Sequence, residues 1–178
     1  MALIHKAVLN PSKLDLLSAW LPSQHWFTGE TEQQQLSEYR FDDPAGEVGL
    51  EALLVHGGAG PVLHVPLTYR GTPLPGTEDP PGRRRGALGA GKRWVSDGCG
   101  DPVWATALAV AVLTGGTQAE EFYDVDGRLE PRAPTATVWG SGTSGTPVGP
   151  VRAVSCHDDG PTTVVHSEQR EFVWSTWV

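Results

Sequence analysis

The segment 101–116, DPVWATALAVAVLTGG, constrains the fold more than any other part of the sequence. Asp101 is a good N-cap and Pro102 suits the first helical position. Gly115 or Gly116 supplies a stop at the other end. Apolar residues occupy all sides of the intervening helix, which leaves it no polar face. We therefore expect this helix to be largely buried.

The composition favours one β-rich domain over residues 1–178. Hydrophobic residues make up 39% of the 178-residue chain and charged residues 19%, which is compatible with a packed core. The 22 glycines and 15 prolines predict many turns and short elements. A first helix is predicted with Ser12 as N-cap, Asp15 in the first turn and Pro22 at its end.

Alternating apolar residues predict a series of short strands around these two helices. The segment GGAG, residues 57–60, separates two of the strands and indicates a hairpin. Pro66 predicts that the second of these strands is an edge strand or is bulged there. Residues 71–91 are interpreted as a long exposed loop rich in Pro, Gly and Arg, and residues 140–147 as another loop. The predicted class is α+β, with two main helices and several antiparallel strands. The predicted strands span 4–9, 35–41, 50–56, 62–69, 120–125, 135–139, 148–155, 162–166 and 171–178.

Charge and cysteine content restrict the partners and the compartment. The formal net charge of -8 argues against a general binder of nucleic acid or anionic membranes. The longest apolar run, 103–113, is shorter than the ~20 residues of a membrane span, and no signal peptide is evident. We expect a cytoplasmic protein in which Cys99 and Cys156 are plain thiols. Two cysteines alone do not build a structural zinc site.

The stretch GALGAGKRW, residues 86–94, approaches the G-x-x-x-x-G-K-[ST] pattern of a phosphate-binding loop. Arg93 stands where the pattern requires the hydroxyl that holds Mg²⁺. The preceding EDPPGRRR is unsuited to a buried strand, and the following RWVSDGCGDP is unsuited to a helix. We interpret the stretch as a flexible basic loop and predict no nucleotide cofactor.

Basic and aromatic side chains supply the candidates for partner contact. Five of the thirteen basic residues lie within 83–93, either as a solvated loop or as a dock for an acidic partner or anionic ligand. The seven tryptophans are scattered, which is typical of core residues, or they form a surface that stacks on sugars or contacts protein. The two tryptophans near the C-terminus are three residues apart, so they point to opposite strand faces. The candidate contact residues are Arg83, Arg84, Arg85, Lys92, Arg93, Trp174 and Trp177.

Other residue pairs suggest chemistry only weakly. Asp97 and Asp101 bracket the sequence GCG and could act as paired carboxylates, but a turn and a helix cap account for them. Cys99 lacks the local signs of an activated nucleophile. His56 and His64 flank the glycine hairpin, where they can face each other, yet two ligands do not close a metal site. We therefore predict no catalytic or metal-binding residue.

Three segments resemble the N-terminal cap domain of the maltokinase family: LHVPLTYRGTPLPG (63–76), KRWVSDGCGDPVWATALAVAVLTGG (92–116) and TVVHSEQ (163–169). The most specific motif is R-W-V-x-D-G-x-x-D-P at 93–102. The chain is most similar to free-standing cap-like proteins related to maltokinase and glucan branching. The resemblance implies a curved antiparallel sheet with helices packed on it, of cystatin-like topology.

The resemblance implies that the cap carries no catalytic residue in full-length members of that family. It sits on a kinase-like body that phosphorylates maltose, or an amino sugar in a related branch, with ATP and Mg²⁺. Phosphoryl transfer requires a lysine on the phosphates, a catalytic aspartate and metal-holding side chains. This sequence contains no H-R-D and no D-F-G. We therefore expect no kinase activity from this chain alone.

Three hypotheses of function follow. The first is a non-catalytic binding or regulatory module near trehalose, maltose or glycogen metabolism, with a separate kinase body or a second copy as partner. The second is a fragment or split half of an ATP-dependent sugar kinase. The third is a small carbohydrate-binding module that uses tryptophan faces.

Overall fold

The fold is taken from a computed structural model. It describes residues 2–4, 11–24, 27, 29–58, 62–75, 85–88, 91–140, 142, 152–153, 162–167 and 170–177. Side chains are described for 11–24, 27, 29–58, 62–75, 93–140 and 142.

Within these ranges the chain forms two α-helices and three β-sheets, which confirms the α+β class. Short 3₁₀ turns follow the first helix at Leu21–Ser23 and precede the second at Gly98–Gly100. The helices are α1 (Lys13–Trp20) and α2 (Pro102–Thr114). The strands are β1 (Ala2–Ile4), β2 (Gln34–Phe41), β3 (Gly49–His56), β4 (Leu63–Arg70), β5 (Arg85–Leu88), β6 (Gly91–Asp97), β7 (Glu121–Val125), β8 (Arg128–Arg132), β9 (Thr137–Trp139), β10 (Arg152–Ala153), β11 (Thr162–Ser167) and β12 (Arg170–Trp177).

The central sheet has five antiparallel strands in the order β2-β3-β4-β6-β5. Residues of opposite parity along each strand face opposite sides of a sheet. One helix packs against each side of this sheet, and a separate apolar core lies between the sheet and each helix. The fold therefore has three layers, with the five-stranded sheet in the middle.

Helix α1 covers one side of this sheet. Ser12 and Asp15 form the predicted cap and make a full capping box: the Ser12 hydroxyl accepts from the Asp15 amide, and the Asp15 carboxylate accepts from the Ser12 amide. The helix buries Leu17, and Leu21 follows in the 3₁₀ turn that contains Pro22. These leucines pack on side chains from β3 and β4: Leu53, Val55, Val65, Leu67 and Tyr69.

Helix α2 covers the other side. The predicted boundaries are confirmed: Asp101 is the N-cap, Pro102 is the first helical residue, and Gly115 ends the helix with φ 67°. Trp104 is fully buried at the centre of the second core. Its partners there are Tyr39, Phe41, Val48, Leu50, Ala52, Leu108, Ala109, Ala111, Val112, Ala136 and Val138.

Two smaller sheets accompany the central one. In the first, β7 lies between β1, which runs parallel to it, and β8, which runs antiparallel. The second has the order β10-β11-β12-β9, with antiparallel pairs throughout. The parallel β1–β7 pair departs from the purely antiparallel arrangement that the resemblance implies, and the cystatin-like topology stays a prediction.

The segment 71–91 is not a loop throughout. Strand β5 lies inside it and pairs with β6, with Leu88 opposite Gly91. Sequence patterns also missed β6 and β8 as strands. Both β5 and β6 contain glycines and charged residues, so neither shows the apolar alternation that identifies a strand. Of the predicted loop at 140–147, only residues 140 and 142 are described, and neither lies in a helix or strand.

Pro66 lies in an inner strand, so the prediction of an edge strand is wrong. The last residue pair that joins β4 to β6 is Leu67 opposite Asp97. Pro66 lies just beyond this pair, where β6 has already given way to the Gly98–Gly100 turn. A missing N–H at Pro66 therefore interrupts no pairing between β4 and β6.

Candidate functional site

The motif R-W-V-x-D-G-x-x-D-P forms the connection from β6 to α2. The Asp97 carboxylate accepts from the Cys99 amide at 2.9 Å and caps the 3₁₀ turn. The Asp101 carboxylate accepts from the Val103 amide at 2.9 Å and caps α2. Both carboxylates therefore cap the start of a helical segment. This agrees with the sequence prediction of a turn residue and a helix cap.

Asp101 also binds an arginine from the neighbouring strand. Arg70, the last residue of β4, donates from Nε to Oδ2 and from Nη2 to Oδ1, each at 2.7 Å. Asp101 is 1% exposed. Burial by itself would raise the pKa of this carboxyl, but the bonds from Arg70 and the Val103 amide outweigh burial and lower it. Asp101 is therefore held as a carboxylate that joins α2 to the central sheet.

The glycine of the motif is required by its neighbour Pro66. A Cβ placed on Gly98 would lie 2.8 Å from Pro66 Cβ, closer than two carbons can approach without a shift. Gly100, in the same turn, has nothing within 4 Å of a Cβ placed on it. The dipeptide Asp97-Gly98 thus combines a cap with a close approach of two backbones.

The described residues of the glycine stretch that resembles a phosphate-binding loop lie in two paired antiparallel strands. Gly86 lies in β5 opposite Arg93, and Lys92 lies in β6 opposite Ala87. A phosphate-binding loop connects a strand to the N-terminus of a helix, so that backbone amides and the helix dipole face the phosphates. Strand β6 follows Gly91 directly, so no helix begins there. The interpretation as a flexible basic loop is also wrong over β5 and β6.

The structure leaves the predicted contact residues largely untested. Arg93 is exposed. Arg83 and Arg84 lie outside the described residues. Backbone alone is described for the others: Arg85 in β5, Lys92 in β6, and Trp174 and Trp177 in β12.

Histidine and cysteine side chains follow separate arrangements. His56 Nδ1 lies 3.0 Å from the Gly58 carbonyl, whereas His64 Nε2 lies 2.7 Å from the Tyr39 hydroxyl, so the two histidines take different partners. Cys99 is disulfide-bonded, so the prediction of a plain thiol is wrong for this residue; Cys156 lies outside the described residues. Among the described side chains, no group of three or more His, Cys, Asp and Glu is placed to hold a metal ion.

The ring of His64 lies beside two aromatic residues of the second core, Tyr39 and Trp104. It stacks on Tyr39 with centroids 5.8 Å apart and lies 6.5 Å from the Trp104 ring. Burial among these rings lowers the pKa of His64 to about 4. The histidine is therefore neutral near pH 7. A neutral ring also leaves Nε2 able to accept from the Tyr39 hydroxyl.

Six charged side chains alternate in sign around a closed ring, which we call the charge ring. It joins α1, β2, β3, β7 and β8 on the α1 side of the sheet. Sequence reasoning missed it, although a lone glutamate in the apolar strand GLEALLVH was a signal. The successive N–O distances are Lys13–Glu38 3.0 Å, Glu38–Arg132 2.7 Å, Arg132–Glu121 2.6 Å, Glu121–Arg40 3.7 Å, Arg40–Glu51 2.6 Å and Glu51–Lys13 2.8 Å.

The charge ring contains three positive and three negative groups and is neutral as a whole. Glu51 is fully buried and also accepts from the Tyr69 hydroxyl at 2.5 Å. Burial alone would raise the pKa of Glu38, but attraction and hydrogen bonds from Lys13 and Arg132 outweigh it and lower that pKa to about 2. Glu38 is therefore a carboxylate near neutral pH. The six side chains pair with one another, which is typical of a structural network.

Two concave surfaces lie on either side of residues 117–120. One is a cleft of about 380 Å³ between β2 and the β7–β8 hairpin, and Glu38, Glu121 and Arg132 of the charge ring line it. The other is a groove of about 740 Å³ along α2, which we call the α2 groove. Ligand sites commonly have volumes in the range of roughly 300–1,000 Å³.

One row of α2 is exposed, which corrects the prediction that the helix is largely buried. The buried residues of α2 face the sheet. The outer side carries exposed residues that recur every four positions: Pro102, Thr106, Val110 and Thr114. Val110 is 41% exposed. The sheet covers only the side of the helix that it contacts, and a helix without a polar face must then present apolar groups elsewhere. Neither of the helices described has the length and apolarity to cross a membrane.

The described domain is of the α+β class, with one helix on each side of an antiparallel sheet and a motif that builds the strand-to-helix junction. Residues 20–101 match the family model of the maltokinase N-terminal cap domain. The match confirms the resemblance to that family over these residues. The match contains the segment 63–76 and ends at Asp101, while 163–169 lies outside it. Comparisons with curated proteins and with solved structures gave no match.

Proposed function

We propose that the chain acts as a non-catalytic, cap-like binding or regulatory module in trehalose, maltose or glycogen metabolism. The observation that carries the proposal is that the two carboxylates of the motif have structural roles. Asp97 caps the Gly98–Gly100 turn, and Asp101 both caps α2 and binds Arg70. These groups build a junction between sheet and helix, and a cap needs such a junction to present α2 as a rigid surface.

The partner in this proposal is a separately made kinase body that lacks a cap of its own. The exposed row of α2 supports a binding role, because a helix without a polar face is stabilised when another apolar surface covers it. A cytoplasmic location belongs to the same proposal. Disulfides are uncommon in that compartment, whereas Cys99 is disulfide-bonded in the structure. A cytoplasmic location therefore requires that Cys99 be reduced in the cell. We expect a thiol reagent to label Cys99 in protein isolated from the cell, and a Cys99 that is labelled only after reduction would contradict the location.

The alternative is a split half of an ATP-dependent sugar kinase, and one experiment separates the two functions. ADP release from ATP, Mg²⁺ and maltose is measured with a capless maltokinase body, with and without this chain. A regulatory module changes the rate of a body that is active by itself. A split half is required for any rate. If the body's rate and its KM for maltose are the same with and without the chain, both functions are contradicted.

A further inference from the structure

The α2 groove has an apolar floor although two of the exposed α2 residues that line it are threonines. The Thr106 hydroxyl donates to the Pro102 carbonyl at 2.7 Å, and the Thr114 hydroxyl donates to the Val110 carbonyl at 2.8 Å. These bonds turn the hydroxyls back onto the helix, so the threonines present mainly methyl groups outward. With Val110 between them, they form a continuous apolar stripe.

The charged residues that line the α2 groove are all acidic, although Arg70 lies near enough to attract Asp43. Asp42, Asp43 and Glu120 line the α2 groove, and among the described residues that line it there is no lysine, arginine or histidine. Burial alone would raise the pKa of Asp43, but the amides of Val48, Ala45 and Glu47 donate to its carboxylate and lower it. The net charge of the whole chain, -8, adds to this negative field.

From this geometry we infer that the α2 groove binds a basic amphipathic segment of a partner protein. An apolar face covers the stripe, and lysines or arginines at its border meet the three carboxylates. A helix that lays its apolar side chains along such a groove is an established mode of peptide recognition. The inference rests on the proposed binding role and adds the surface and the chemistry of the partner segment.

Two synthetic helical peptides test the inference. They share the same leucine positions, and their polar positions are all lysine in one and all glutamate in the other. Binding to the full chain is measured by fluorescence anisotropy. We expect the lysine peptide to bind and the glutamate peptide to bind at least about tenfold more weakly, because like charges then face each other. Equal binding by both peptides, or binding by neither, would overturn the inference.

A matched pair of variants locates the bound peptide. Val110→Asn places an amide in the apolar stripe, whereas Leu129→Asn makes a similar change at a residue of β8 that is 49% exposed. We expect Val110→Asn to weaken binding of the lysine peptide by about tenfold and Leu129→Asn to leave it unchanged. Equal effects of the two substitutions would show non-specific attraction to an acidic protein and would contradict the inference.

Sedimentation of the chain without peptide separates a partner from a second copy. We expect a monomer whose state is the same in the wild type and in Val110→Asn. A dimer that Val110→Asn dissociates, but Leu129→Asn does not, would identify the occupant as a second copy and overturn the inference. ATP turnover by the chain alone would contradict the proposed function, whereas loss of selective peptide binding without turnover contradicts only the inference.

Discussion

Arg70 and Asp101 form a bidentate ion pair in which the carboxylate also serves as the N-cap of α2. One side chain thereby connects the central sheet, the Gly98–Gly100 turn and the second helix. The arrangement explains why an aspartate precedes the proline of the motif, and it predicts that this residue matters for stability.

We expect Asp101→Ala to lower the free energy of unfolding by about 3–5 kcal/mol, because it leaves a partly buried arginine without its partner and removes a helix cap. Urea unfolding at neutral pH measures the change. Glu130→Ala, on the exposed strand β8, is the control and should change stability by less than about 0.5 kcal/mol. Similar losses in both variants would mean that the ion pair contributes nothing specific.

Gly98 and Gly100 provide a comparison within one turn. Gly98→Ala forces a Cβ against Pro66, and we expect it to destabilise the protein by about 1–3 kcal/mol. Gly100→Ala meets open space and should change stability by less than about 1 kcal/mol. Thermal or urea unfolding of the two variants tests this. Equal stability of the two would show that the close approach to Pro66 is unimportant.

Glu51 is the most deeply buried member of the charge ring. Its removal leaves Lys13, Arg40 and the Tyr69 hydroxyl without their shared acceptor. We expect Glu51→Ala to cost about 3–5 kcal/mol of unfolding free energy. Glu51→Gln keeps an acceptor oxygen and should cost less. Urea unfolding gives both values, and a loss below about 1 kcal/mol in Glu51→Ala would contradict the structural role of the ring.

His64 predicts a pH dependence of stability. Its pKa is lowered from 6.5 to about 4 in the folded protein by burial, so the unfolded chain binds the extra proton first as the pH falls. This contribution is complete above pH 6.5 and is lost as the pH falls toward 4. We expect a loss of about 2–3 kcal/mol over that interval.

The measurement is urea unfolding of the wild type and of His64→Gln between pH 7 and pH 4, with an NMR titration of the His64 ring. The variant should lack this part of the pH dependence, while the loss of unfolding free energy that comes from protonation of carboxylates remains. An identical slope in the two proteins, or a His64 ring that titrates near its ordinary value, would contradict burial as the cause.

The helix boundaries could be predicted from the sequence because capping is local. Ser12 reaches Asp15, and Asp101 reaches Val103, within one turn of the same helix. Strand β8 could not be predicted this way, since RLEPR has no apolar alternation and becomes a strand only by pairing with β7. Its bounds depend on a neighbour that the local pattern does not reveal.

The charge ring and the α2 groove could not be predicted from the sequence for a similar reason. Lys13 and Arg132 meet at Glu38 only because two sheets and a helix bring distant segments together. The sequence of α2 indicates that the helix lacks a polar face, but the side left exposed depends on where the sheet lies. Hydrophobic pattern alone therefore predicted burial where the fold leaves a groove.

We propose that this chain does not transfer phosphate, and ADP release by the purified chain alone measures this directly. With ATP, Mg²⁺ and maltose, we expect the same background rate for buffer, wild type and Lys92→Ala. Turnover above background that Lys92→Ala abolishes would contradict this proposal, because the stretch 86–94 would then be a working phosphate site.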